Sequence, residues 1–163
     1  MAAVVKIYEM SASMSGTDKT NATVRYKLAD NATVDSNNPI TIPSSGYTRS
    51  FTKQLRLYVA TAPPTQIDNF KVYSDGSNGF GTGVNVNATN AGGTYSANAT
   101  AAMNGSDLFS YTSGSPLAIN VTHSSKTGTG FAGDLMKSQM VVASTASAGP
   151  LSSEQIVFSY DET

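Results

Sequence analysis

The sequence predicts an all-β fold, a single antiparallel β-sandwich of immunoglobulin-like or jelly-roll-like type, and three observations predict it. Apolar residues recur with period two in short runs, turn-forming residues separate those runs, and helical spacing is hard to find. The 163 residues fit one domain, with Gly 14 and Pro 6 supplying turns. A domain of this size buries roughly 70% of the surface that its unfolded chain exposes. It therefore needs neither metal nor disulfide to fold, and with Cys 0 it has no disulfide to use.

The elements follow in chain order. A first strand over 4–9 sets Val5 and Ile7 against Val4, Lys6 and Tyr8. A Ser/Gly/Thr/Asn loop follows it. Val24, Tyr26 and Leu28 then alternate with Arg25 and Lys27, which predicts a half-buried strand. The short Ile40-Thr41-Ile42, bracketed by Pro39 and Pro43, reads as an edge piece. The clearest strand runs over 49–60. Phe51, Lys53, Leu55, Leu57 and Val59 share one face, and Thr52, Gln54, Arg56 and Tyr58 share the other. Lys53 interrupts the apolar face, so the buried part is expected to begin at Leu55. Pro63-Pro64 ends the strand, because proline cannot donate to a ladder. The next strand, over 67–74, sets Phe70 and Val72 against Asn69, Lys71 and Tyr73.

From 75 to 115 the composition turns to Gly, Asn, Ala and Thr. This reads as a low-complexity loop excursion, since its apolar residues are too few for a second core. Val84 and Val86 mark a short strand in it, and residues 97–103 have room for one or two helical turns. Strand pattern resumes with Leu117, Ile119 and Val121, continues in the apolar run 139–144, and closes with Ile156, Phe158 and Tyr160. The count is about seven or eight strands, spanning 1–163 as one domain. First and last strands are expected close together, and the segments 55–59 and 156–160 are expected in the core.

Charged residues make up 13% of the chain, against about 25% in ordinary globular domains. With a formal net charge of -1, no electrostatic case exists for nucleic acid or an anionic membrane. So weakly charged a surface suits a protein covered by neighbours, and an extracellular polar β protein equally well. The N-terminus Met-Ala-Ala-Val-Val-Lys-Ile-Tyr-Glu has no basic region followed by a continuous apolar run, so it is not read as a signal peptide. No apolar run approaches the ~20 residues that span a bilayer. The chain is expected to be made in the cytoplasm and to remain soluble, or to leave by lysis or a dedicated system.

Catalytic chemistry finds little to stand on. A Ser nucleophile needs a base in reach, and the single histidine, His123, reads as a rim residue at a strand end. One histidine and no cysteine exclude zinc-type ligand sets. Glycoside hydrolysis needs two carboxylates at a set separation. The candidates Asp18, Asp30, Asp35, Asp68, Asp75, Asp107 and Asp134 fall mostly in loops, and the tryptophan that sugar clefts often use is missing, with Trp 0. The run from Asp75 to Gly83 lacks the acids of a calcium loop and the Gly-Lys-Ser/Thr of a phosphate loop, and reads as a turn. Asn-X-Ser/Thr matches at Asn21, Asn31, Asn87, Asn98, Asn104 and Asn120 follow from abundant Asn and Thr. No catalytic, cofactor-binding or metal residue is therefore predicted.

Aromatic residues carry the interface expectation. Tyrosine is enriched at interfaces because its ring is large, rigid and amphipathic. Tyr58 and Tyr73 fall on the polar faces of their strands, and Tyr95, Phe109 and Tyr111 are anchors in the excursion. These five are the candidate interface residues. Ordinary sheet packing accounts for tyrosine there as well, so both readings stay open.

Four segments carry a resemblance: Phe51-Thr-Lys-Gln-Leu-Arg-Leu-Tyr-Val, Ile67-Asp-Asn-Phe-Lys-Val-Tyr-Ser-Asp-Gly, Gly81-Thr-Gly-Val and the terminal Ile156-Val-Phe-Ser-Tyr-Asp-Glu-Thr. Together they resemble small structural proteins of tailed bacteriophage particles. The resemblance implies a non-enzymatic virion protein, most of all a capsid decoration (cement) protein that stabilises the head. The alternative is a tail, neck or receptor-binding module recognising host surface glycans. The implied partners are the major capsid protein or other virion proteins and further copies of the chain, without nucleic acid or membrane. The excursion and the loop at 11–21 are expected to be held by neighbouring subunits more than by their own domain.

Overall fold

The computed structural model describes residues 1–11 and 15–163. The polar loop expected after the first strand therefore lies in part, at 12–14, outside the described residues. The elements among the described residues are β1 (Val4–Met10), β2 (Gly16–Asp18), β3 (Tyr47–Arg49), β4 (Lys53–Thr61), β5 (Ile67–Tyr73), β6 (Val84–Asn90), β7 (Ser106–Asp107), β8 (Leu117–Ala118), β9 (Ser125–Lys126), β10 (Gly130–Ala143) and β11 (Val157–Glu162). Among the described residues one 3-10 turn, Leu108–Ser110, completes the regular elements.

The fold is all-β, with two antiparallel sheets. The seven-stranded sheet has the order β2-β1-β4-β10-β6-β7, with β3 pairing β10 beyond the start of β4. The four-stranded sheet has the order β11-β5-β8, with β9 also on β5. Leu55, Leu57, Val59, Ala132 and Met136 of the larger sheet pack against Ile67, Phe70 and Val72 of the smaller one, with Ile119 between. Fully burying each such side chain contributes about 1.5–3 kcal/mol. A second cluster, Val84, Val86, Ala88, Met140 and Val142, is covered by Leu108 and by the partly buried Tyr26, Ile40, Phe80 and Tyr111. First and last strands meet as expected, for the Ala3 N–H donates to Glu162 Oε1 at 2.7 Å.

Several expectations change. The run 49–60 is two strands, because the Ser50 N–H still reaches Met140 O of β10 but the Phe51 and Thr52 N–H groups go elsewhere, to Lys27 O and Ala99 O. Residues 24–28 and 40–42 form no strand. Instead the Leu28 N–H reaches Asn38 O, and Lys27 is buried. Residues 97–103 form no helix, since the carbonyls of Ala99 and Ala101 accept from Gln139 of β10 rather than from their own turn. The strand at 117–121 stops after Ala118. The Thr122 and His123 N–H groups turn onto the Asp134 carboxylate at 2.9 and 3.0 Å, leaving Ile119 buried and Val121 80% exposed. The run 139–144 is the end of a 14-residue strand. Residues 156–160, expected in the core, meet it with one face, where the partly buried Ile156, Phe158 and Tyr160 pack against the core cluster. They nonetheless form an edge strand, for among the described residues β11 pairs with β5 alone, and Val157 on the other face is 41% exposed.

Lys53 is the largest correction on the clearest strand. It is 1% exposed and belongs to a buried ionic group. Three lysines converge on three successive carbonyls of one loop: Lys53 on Asn31 O at 2.6 Å, Lys19 on Ala32 O at 2.8 Å and Lys27 on Thr33 O at 3.0 Å. Glu9 supplies counter-charge to Lys53 at 2.8 Å and to Lys19 at 3.7 Å, and Asp35 supplies it to Lys27 at 3.1 Å. Buried charge is tolerated where it is paired and hydrogen-bonded. The irregular 29–35 segment is thereby fastened to β1 and β4 without any strand of its own.

The excursion at 75–115 is likewise attached. It contains β6, hydrogen-bonded along its length to β10. Its 91–103 stretch lies over the second face of the larger sheet, where Gln54, Arg56 and Gln139 are buried. Gln54 Nε2 donates to Ser96 O at 2.6 Å, Arg56 Nη1 to Gly93 O at 3.1 Å and Gln139 Nε2 to Ala101 O at 3.0 Å. Side-chain amides and a guanidinium thus replace the apolar contacts that this stretch lacks.

Candidate functional site

The candidate aromatic residues separate into three environments. Phe109 is 6% exposed and stacks edge-on against Phe80 at 5.8 Å, so it is a core residue rather than an interface residue. Asp107 positions it by accepting the Phe109 N–H at 2.9 Å. Tyr111 packs on the second core cluster, and its carbonyl accepts the Ser74 N–H at 2.8 Å. Tyr95 is half-buried in the stretch over the sheet, and burial, with the Asp30 charge next, pushes its phenol pKa up.

Tyr58 lies on the outer face of the larger sheet in an aromatic trio. Its ring centroid is 5.1 Å from Tyr8 and 5.2 Å from Phe131, and Tyr8 and Phe131 are 6.0 Å apart. Strand register brings them together, since β1, β4 and β10 are neighbours. The Arg56 guanidinium stands 5.8 Å from the Phe131 centroid. All three rings remain half-buried, and they fill one another's contact area.

Tyr73 is the last residue of β5, one strand in from the open edge of the smaller sheet. It pairs with Val157, the first residue of β11. Beside this pair runs a cleft of about 270 Å³ lined by Ser74, Asp75, Glu154 and Gln155 as well. Further along, β5 carries an extra residue: Asn69 takes a left-handed conformation at φ 53, and the pairing skips Asn69 and Phe70 of β5 against Tyr160 alone of β11. The Asn69 side chain donates to Asp161 Oδ2 at 2.6 Å and fixes the skip. One edge of β11 is paired with β5. The other has no strand beside it among the described residues.

His123 is a rim residue, its side chain 44% exposed, as the sequence suggested. Its partner was not legible. Asp134, at the bulge of β10, has a side chain that is 0% exposed, and its Oδ1 lies 3.1 Å from His123 Nδ1. Burial pushes this carboxyl up, but hydrogen bonds from the Thr122 N–H, the Asn90 amide and His123 outweigh it and hold the pKa down at about 2. The imidazole lies so close to Gly93 that no side chain fits there. Backbone bonds tie the 91–94 turn to the sheet, from the Ala91 N–H to Leu135 O at 2.8 Å and from the Leu135 N–H to Gly92 O at 2.7 Å. Among the described residues no group of three or more His, Cys, Asp or Glu is placed to hold a metal ion.

Comparisons of the chain with family models, with curated proteins and with solved structures return no match.

Proposed function

We propose that this chain is a non-enzymatic structural protein of a bacteriophage particle, a capsid decoration protein that stabilises the head. The observation that carries the reading is the open edge of β11, headed by the exposed Val157 beside Tyr73. An unpaired edge strand offers a row of backbone donors and acceptors to another chain. The residues on it are apolar or neutral from Val157 to Tyr160, and the low charge of the whole chain suits a surface covered by neighbours. The resemblance of the four segments points the same way. The partners on this reading are the major capsid protein or other virion proteins and further copies of the chain. Its location is the particle, after synthesis in the host cytoplasm. A stable joint needs roughly 800 Å² per partner, so the edge works together with the adjoining cleft.

Mass spectrometry of purified particles, with stoichiometry, tests the proposal. Copy number comparable with the coat protein is expected, and Val157→Lys should lower it while the isolated chain keeps its melting temperature. A few copies per particle would move the chain to the tail, neck or receptor-binding apparatus. Absence from particles would end the virion reading.

A further inference from the structure

The outer face of the larger sheet carries a second concavity, away from β11. Where β3, β10 and β6 lie side by side there is an open groove of about 480 Å³. Strand register builds its floor: Ala143 lies opposite Tyr47, and Val141 lies opposite both Arg49 and Asn85. Tyr47 stands on one side, 61% exposed. Asp107 of β7 stands on the other, across from Asn87 of β6. The glycine turn at 81–83 closes one end. Gly83, at φ 76, is pressed against Thr145 and Ala146 with no room for a side chain, and its carbonyl accepts the Ala143 N–H at 2.7 Å. That end is therefore rigid.

We propose that this groove is a binding site for a neutral glycan. Its volume lies within the range of about 300–1,000 Å³ that small-molecule sites occupy. Tyr47 offers a flat apolar ring for the C–H face of a sugar. The Arg49 guanidinium lies 5.7 Å from its centroid and restrains it. Directional polar groups surround the ring. Asp107 uses Oδ1 on the Phe109 N–H, which leaves Oδ2 to accept from a hydroxyl. Asn85 uses Oδ1 on the Val86 N–H at 2.8 Å, which leaves its NH2 to donate. The hydroxyls of Thr82 and Thr145 both donate and accept, as sugar hydroxyls require. Asp107 is the one ionised side chain among the lining residues and the Arg49 guanidinium stands beside Tyr47, so the two charges offset one another and the groove favours neither a cationic nor an acidic sugar over a neutral one. This site is independent of where the chain sits in a particle.

The test uses the isolated chain, a glycan array of neutral and acidic sugars, and NMR titration with maltotriose, cellotriose, an N-acetylglucosamine trimer and a galacturonate trimer. At least one neutral glycan should bind and shift the amide signals of Tyr47, Gly83 and Asn85. Tyr47→Ala should weaken that binding about tenfold or more with the melting temperature unchanged, because the ring is exposed. Asp107→Asn keeps an oxygen for the Phe109 N–H and should also weaken binding. Silence across all neutral glycans, binding of acidic glycans alone, or binding indifferent to Tyr47→Ala would each overturn the assignment.

Discussion

Glu9 and Lys53 meet at 2.8 Å inside the sandwich, on the neighbouring strands β1 and β4, with side chains 5% and 1% exposed. Glu9 also lies 3.7 Å from Lys19, so one carboxylate serves two buried cations. Replacing Glu9 by Ala leaves both without counter-charge and should destabilise the chain by about 3–5 kcal/mol. Lys53→Met should cost less, since Glu9 keeps Lys19. Urea unfolding of the two variants decides the matter. Equal losses would show that Glu9 does not serve both lysines.

Acid should expose the contribution of Asp134. Its pKa is about 2 in the folded chain against about 3.9 unfolded. A depressed carboxyl stabilises the fold above the unfolded value, and that stability disappears as pH falls from about 4 through about 2. The amount is about 2–3 kcal/mol. Asp134→Asn should be less stable than the parent at neutral pH, and the two stability curves should converge towards pH 2. Parallel curves would contradict the assignment.

Two apolar positions test the packing. Leu57 is 2% exposed, and Leu57→Ala should cost roughly 2–5 kcal/mol. Val121 is 80% exposed, and Val121→Ala should stay within about 0.5 kcal/mol. Thermal or urea unfolding reads both, and a large loss at Val121 would show that its strand continues inward.

Gln139 should control the 97–103 stretch. Its amide donates to Ser50 O and Ala101 O at 3.0 Å and to Ala99 O at 3.3 Å, and its Oε1 accepts the Met103 N–H at 3.3 Å. Gln139→Leu should speed hydrogen exchange at the Thr52 and Met103 amides and leave β6 unchanged. In the free parent chain these two amides should be protected, because the stretch is held by its own sheet. Fast exchange at both in the parent would return the stretch to neighbouring subunits.

Period-two patterning made the sandwich readable, and it was most reliable at Leu55, Leu57 and Val59, where apolar side chains meet apolar side chains. It misplaced Lys27 and Lys53 because a charged residue reads as solvent-facing. The Thr33 and Asn31 carbonyls that accept from them leave no trace in residue type. It missed the first half of β10, where Gly133 and Asp134 resemble a turn; in the fold they form a bulge, with Gly133 at φ 65. It carried Val121 inward because nothing local shows that the next two N–H groups belong to a carboxylate twelve residues on. Among the candidate interface aromatics, Tyr73 could be placed on an outward face from alternation alone. Phe109 could not, because it sits on a turn whose direction is set by Asp107.

β10 joins β3, β4 and β6, and among the described residues no other strand joins β4 to β6. The larger sheet thus has to wait for residues 130–143 before its two halves can unite. During synthesis β1 and β4 emerge early and β6 later, each with an edge whose partner is still to be made. Folding of this sheet is therefore a late, cooperative event dominated by contacts distant in sequence, the kind of topology that folds over milliseconds to seconds rather than microseconds. A chain released before Ala143 would carry two unsealed strand edges, and aggregation, rather than a smaller stable fold, is its expected fate.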